Sequence, residues 1–145
     1  MNIRKATPKD LDLLVPLFDE YRVFYKQPSD TKAARFFLEE RFKAKDSVIF
    51  LALNATGEGL GFTQLYPSFS SVSMQRTYIL NDLFVKKDAR GNRIGEGLLE
   101  HAKKFAKEVG SKGLTLETDL DNPAQKLYER LGWSKDTHLH YTWEL

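Results

Sequence analysis

The stretch that most constrains this chain runs from Ile79 to Leu99, ILNDLFVKKDARGNRIGEGLL. Ile79 to Val85 is rich in residues that favour a strand, and the polar run Lys86 to Ala89 breaks it. From Ile94 onward, Ile94, Leu98, Leu99, Ala102, Phe105, Ala106 and Val109 form one helical stripe, which Gly110 stops. The turn Arg90-Gly91-Asn92-Arg93-Ile94-Gly95 therefore sits at a helix N-terminus. Backbone N–H groups lack partners there, and the helix dipole favours an anion. Arg90 and Arg93 add charge-assisted donors, while Gly91 and Gly95 leave the backbone open to a ligand. The arrangement predicts a site for phosphate or diphosphate.

At 145 residues the chain is expected to form a single domain, 1–145, with a sizeable core. Its net charge of +2 gives no reason to expect nucleic acid or membrane as a partner. The charge is uneven: residues 86–112 carry eight Lys/Arg against four Asp/Glu, and residues 113–145 carry three against six. That split suits a polyanionic cofactor beside a cationic substrate, or simply solvated helix faces. With no cysteine, disulfides, thiolate metal sites and a cysteine-bound acyl intermediate are excluded. His138 and His140 share a strand face without a third ligand at suitable spacing, so no metal is expected. His101 is expected to be solvated. No apolar leader or membrane-length segment is evident, and a cytoplasmic location is expected.

In chain order, Asn2 to Ala6 reads as a strand. Thr7 and Pro8 then open a helix whose apolar face continues past Pro16 to Tyr21, Phe24 and Tyr25. A second helix runs from Ser29 or Asp30 to about Lys43. Strands are expected at Asp46 to Asn54 and Gly59 to Tyr66, with Pro67 ending the latter and Ser68 to Ser73 forming a loop. After the central strand and the long helix comes a strand at Gly113 to Leu120. A helix then opens at Asn122-Pro123 and stops at Gly132, and a last strand pair falls at Trp133 to Lys135 and Leu139 to Leu145. This order indicates an α/β domain with a mixed sheet.

Three phosphate motifs compete for the Arg90 turn. A P-loop needs Gly-Lys-Ser/Thr, which is absent, and a dinucleotide fingerprint needs a small residue where Glu100 stands. The remaining pattern, Arg/Gln-x-x-Gly-x-Gly/Ala at a strand-to-helix junction, resembles the GNAT superfamily of N-acetyltransferases. Arg90 and Gly95 match its ends, and Arg93 stands where the pattern has a glycine. The segment from Asn122 to Trp133, NPAQKLYERLGW, is similar to the family's Asn-x-x-Ala-x-x-x-Tyr-x-x-x-Gly-Phe, with Ala124 shifted in spacing and Trp133 for phenylalanine. The resemblance covers essentially the whole chain. It implies the GNAT acyl-CoA N-acyltransferase fold, a mixed central sheet of about seven strands flanked by four helices.

The resemblance implies acetyl-CoA as co-substrate, with no metal. The coenzyme would be held by Leu83, Phe84 and Val85 on the central strand, by Arg90, Gly91, Asn92, Arg93, Ile94, Gly95 and Glu96 in the turn, and by Asn122 and Gln125. Asn122 would bond the pantetheine arm, and Tyr128 would be the general acid near the thioester sulfur. Read alone, Asn122 is equally a helix cap and Tyr128 a core residue. An oxyanion donor is implied among the backbone N–H groups of Leu83 to Val85. An alkylamine with a pKa of about 10.4 costs roughly 4–5 kcal/mol to deprotonate at pH 7, so a base is needed. A thiol pKa of about 8.5 asks only assistance from the acid. Asp82, charged within an apolar strand, or Glu117 is the candidate base, acting through water, and Asp82 could equally serve only to satisfy a neighbouring loop. Spermidine/spermine-type acetyltransferases carry Glu-Asp where this chain has Asn81-Asp82.

The expected function is direct transfer of acetyl to a primary amine, with a small molecule such as a polyamine or amino acid as leading acceptor. The alternatives are a lysine or N-terminal protein acetyltransferase, a non-catalytic acyl-CoA sensor, or a nucleotide-binding domain. The acceptor pocket is expected between the first two helices and the Ser68 to Ser73 loop. A homodimer is a possible assembly.

Overall fold

The computed structural model describes all residues, 1–145. Its strands are β1 (Asn2–Lys5), β2 (Val48–Leu53), β3 (Gly59–Ser70), β4 (Gln75–Val85) and β5 (Leu114–Thr115), and its helices are α1 (Leu11–Phe24), α2 (Thr31–Ala44), α3 (Ile94–Glu108) and α4 (Gln125–Arg130). The strands form one sheet in sequence order, antiparallel up to β4, with β5 added in parallel. The sheet thus has five strands rather than about seven. No helix is long and apolar enough to cross a membrane.

The period of two in β2 builds both sides of the core. Ile49, Leu51 and Leu53 pack with α1 and α2, and Phe50 and Ala52 pack with α3. The stripe on α3 supplies buried Ile94, Leu98, Leu99, Ala102 and Ala106 to the second side. Gly97 lies where the helix crosses β1: a Cβ there would come within 2.8 Å of Ile3 Cδ1. The third glycine of the turn region is therefore a packing residue. Thr7 and Asp10 form a reciprocal capping box ahead of α1, and Arg4 donates two 2.8 Å bonds to Asp10 that tie this helix to β1.

β3 continues through Pro67 to Ser70, so the first half of the expected serine loop, Ser68 to Ser70, is strand, and Ser71 to Ser73 form the turn. Pro67 lies opposite Tyr78, and Tyr78 turns its own N–H away to the Gly113 carbonyl at 3.2 Å. The proline nitrogen thus faces the edge where β2 has already ended at Val48, and no ladder bond is lost.

The expected strand at Gly113 to Leu120 is reduced to Leu114–Thr115, paired with Tyr78 and Ile79. Beyond that point β4 and β5 part, and backbone without a partner cannot continue a ladder. The two expected C-terminal strands are absent. No backbone–backbone hydrogen bond involves any residue after Trp133, although the alternation of Leu139, Tyr141 and Trp143 is that of a strand.

Candidate active site

The site is organised by one irregularity in β4. Gln64 pairs with Asp82 and Leu65 with Leu80, so Asn81 is an extra residue without a partner on β3. This bulge shifts the alternation. Leu80 faces α3, whereas Asp82 and Phe84 face α1 and α2. Past the bulge, the Lys86 N–H bonds the Leu60 carbonyl at 2.9 Å, which places the backbone groups of Val85 and Leu83 on the opposite, open edge left by the parting of β5. The Val85 carbonyl there accepts from Arg90 Nε at 2.9 Å. Phe84 is different: its ring is buried between the helices and meets the open groove beneath the Arg90 guanidinium, 5.7 Å away. Arg90 also lies 5.6 Å over Phe24, in a groove of about 850 Å³ that includes Lys86 and Lys87.

Directly after Arg90 in the chain, the six consecutive backbone N–H groups from Gly91 to Glu96 have no acceptor within the protein; the first helical bond is Gly97 N–H to Arg93 carbonyl, 3.0 Å. Such a row of free donors at a helix start fits a diphosphate. Gly91 has φ +83° with open space around it, and at Gly95 the nearest atom to a Cβ would be Val85 Cγ2, 3.9 Å away. Arg93 adopts φ +59°, a left-handed conformation that explains why a glycine fits this position of the pattern. Ile94 anchors the turn through its buried side chain, and Asn92 Nδ2 braces it against the Ala89 carbonyl at 3.1 Å. The Glu96 side chain is held by Arg130 at 3.2 Å, which lowers its pKa and ties α3 to α4.

On the other side of β4, Asp82 is 4% exposed. Its carboxylate accepts from Gln64 Nε2 at 2.6 Å and from Asn81 Nδ2 at 3.0 Å. It lines a pocket of about 400 Å³ walled by Phe18, Tyr21, Phe37 and Tyr66, with Arg22 also in the lining. Burial first, and the Asp82 charge next, raise the Tyr21 hydroxyl pKa and push Tyr66 up to about 12. Glu117, the alternative base, is exposed and faces His140 at 3.3 Å. The Ser68 to Ser73 residues do not line the pocket.

Tyr128 stands half-buried on α4, its ring 6.2 Å from Trp133. Burial first, then neighbouring Tyr25, raises its pKa. Tyr25 packs against Tyr21, ring centroids 5.1 Å apart, and against Phe24, the ring beneath Arg90. Neighbouring rings thus link the Asp82 pocket, which Tyr21 lines, to Arg90. Asn122 and Gln125 are engaged internally. Asn122 Oδ1 accepts from Ala124 N–H at 2.9 Å, its Nδ2 donates to Thr118 Oγ1 at 2.8 Å, and Gln125 Nε2 donates to the carbonyl of Leu120. Both order the approach to α4.

Residues 14–133 match the family model described as Acetyltransferase (GNAT) family. The chain is a GNAT-family acetyltransferase. It is 50% identical over 143 residues, 97% of this chain and 95% of the other, to the uncharacterized N-acetyltransferase YhfO of Bacillus subtilis (strain 168). It is 27% identical over 143 residues, 95% of this chain and 88% of the other, to the D-amino-acid N-acetyltransferase HPA3 of Saccharomyces cerevisiae. A crystal structure of a probable acetyltransferase is 45% identical and superposes with a TM-score of 0.95, covering 100% of this chain and 98% of that one.

Within this GNAT domain, Tyr21, Gln64 and Tyr66 are site residues that the sequence did not single out for chemistry. Tyr21 continues the apolar face of α1 in the sequence, which gives it no signal beyond packing. Gln64 carried no signal: only the bulge brings it against Asp82. His101 is half-buried against Phe50, ring centroids 5.7 Å apart, rather than solvated.

Proposed function

We propose that the chain moves the acetyl group of acetyl-CoA directly to the primary amine of a small molecule. The observation that carries this reading is the row of unpartnered N–H groups from Gly91 to Glu96, at the end of the strand that presents buried Asp82 to a separate pocket. The row, with Arg90 and Arg93, would hold the diphosphate. Bound acetyl-CoA supplies an activated acyl group as a thioester.

Asp82 is the pole of the acceptor pocket. A charged amine entering among Phe18, Tyr21, Phe37 and Tyr66 is attracted to aromatic faces and to the carboxylate, which then takes the proton that masks its lone pair. Gln64 and Asn81 keep the carboxylate aimed. N–H groups of Leu83 and Val85 on the open edge are donors for a carbonyl oxygen on which charge develops. Tyr128 remains protonated across the physiological range, because burial raises its pKa, and it can pass its proton to a departing thiolate.

A pocket of about 400 Å³ suits a small acceptor better than a protein surface. Arg22 in its lining favours an acceptor that also carries an anion, such as an amino acid, over a polyamine, whose second ammonium would meet the guanidinium. The activity named for the yeast relative is of that class. The chain is expected to work in the cytoplasm.

The test is thiol release from acetyl-CoA against a panel of amino acids, polyamines and lysine peptides. Turnover with amino acids is expected. Coenzyme A binding without turnover on any amine would leave a sensor module, and preference for ATP would remove the coenzyme assignment.

A further inference from the structure

The hairpin that joins β3 to β4 reaches past the rest of the sheet. β2 starts at Val48, opposite Leu65, and β5 pairs only with Tyr78 and Ile79, so the hairpin end stands free of both. Tight turns are ordinarily polar. This one, Ser71 to Met74, carries Val72 and Met74 at 98 and 90% exposure, with Phe69 at 69% just behind them. Met74 is held in a left-handed backbone conformation, φ +53°. Cations are fastened to this apolar tip. The Arg76 guanidinium lies 4.2 Å over the Phe69 ring, and Lys112 Nζ donates to Ser73 Oγ at 2.7 Å. Lys107 on the last turn of α3, and Lys43 and Lys45 at the end of α2, are exposed at the same end of the sheet. From Ser68 to Tyr78 there is no acidic residue. The acids that close α2 and α3, Asp46 and Glu108, already face Arg41 at 3.2 Å and Lys104 at 3.9 Å. A net charge of +2 for the whole chain conceals this basic end.

We propose that this hairpin tip docks on an anionic lipid bilayer, with Phe69, Val72 and Met74 entering the interface and the surrounding cations meeting the headgroups. Shape selects a bilayer. Side chains this exposed at the end of a hairpin project from the surface, and a projection enters a deformable interface, whereas a peptide ligand needs a groove or a free strand edge. Charge selects an anionic bilayer, because apolar side chains ringed by lysine and arginine complement acyl chains beneath negative headgroups. Nucleic acid would satisfy the cations but set the three apolar side chains against a charged backbone. The geometry also leaves catalysis undisturbed. The 11 residues of β4 put the Arg90 turn roughly 35 Å from the tip, so the coenzyme groove stays in water when the tip is docked.

The full chain should sediment at low salt with vesicles of phosphatidylcholine containing about 30% phosphatidylglycerol, and at least roughly tenfold less with pure phosphatidylcholine. Raising the salt should release it. Phe69→Ser with Val72→Ser and Met74→Ser, all at exposed positions, should abolish binding with an unchanged circular dichroism spectrum. Arg76→Gln and Lys112→Gln should each weaken binding roughly fivefold. Because the chain lacks cysteine, Val72→Cys can carry a single environment-sensitive fluorophore, whose emission should shift to the blue on the anionic vesicles. No sedimentation with anionic vesicles, binding that survives the triple serine substitution, or an unshifted fluorophore would each overturn the proposal. So would an equal shift with polyglutamate, which would make an acidic protein the occupant, or a shift on concentrating the chain without lipid, which would make it a second copy. The fluorophore reads the tip even if the serine variant misfolds.

Discussion

The two sites that β4 separates are built from different material. Toward α3 the protein offers backbone: the N–H groups from Gly91 to Glu96 and the open edge of Leu83 and Val85. Toward α1 and α2 it offers side chains: Asp82, held by Gln64 and Asn81 within a wall of aromatics. A backbone site asks of the sequence only that the turn form and that no side chain obstruct it, so it tolerates change at most positions. A side-chain site is specific to its residues, and each substitution alters the chemistry it offers.

If that contrast is correct, substitutions at the two sites should separate into effects on rate and effects on coenzyme affinity. The largest expected effect is at the side-chain site. Asp82→Asn keeps the shape but not the base, and should lower kcat by roughly 10²–10⁴-fold with the KM for acetyl-CoA unchanged. Steady-state kinetics with both substrates varied checks this, and a loss below tenfold would move the base elsewhere. Tyr128→Phe should reduce kcat by about 10²-fold or less, since a thiolate leaves with little help. Its raised pKa also has a direction to check: the phenol stays protonated below pH 10, so the wild-type rate should show no basic limb from this group until above that value.

Arg90→Ala tests the other site. It should raise the KM for acetyl-CoA about tenfold, with kcat nearly constant and a weaker dependence on salt, because one charge-assisted contact to phosphate is removed. Arg93→Gly is the smallest and the most discriminating. Glycine relieves the left-handed conformation at φ +59° but gains freedom in the unfolded chain, so stability should change by no more than about 1 kcal/mol. Coenzyme affinity should fall by less than threefold if the backbone carries the site. A loss of tenfold or more in calorimetry would make the arginine side chain, rather than the turn, the ligand.

The same contrast explains what could be read without coordinates. The order of elements through α4 was legible because helical stripes, caps and the Gly110 and Gly132 stops are local signals. The anion turn was legible because it needs only glycines and a helix start. Asn122 was ambiguous for a physical reason: a capping asparagine and a ligand-binding one look alike, and here its amide is spent on Ala124 and Thr118. The acceptor pocket was poorly legible, since Tyr21, Tyr66 and Asp82 come from three distant segments and their meeting depends on packing. The strand count failed where alternation was equated with pairing. Leu139 to Leu145 has the right pattern, but a strand also needs an edge, and within one chain none is joined to it.

The unpaired Asn81 has a consequence for how such an enzyme can change. With it in place, the proposed roles fall on opposite faces of a single strand: Asp82 would serve one substrate, and Leu83 and Val85 the other. Acceptor preference can therefore drift through the helices and residues facing Asp82 while the donor-binding machinery stays as it is. Deleting that one residue would swap the two faces and disable both functions together. The insertion acts as a divider that lets half of the enzyme evolve without disturbing the other half.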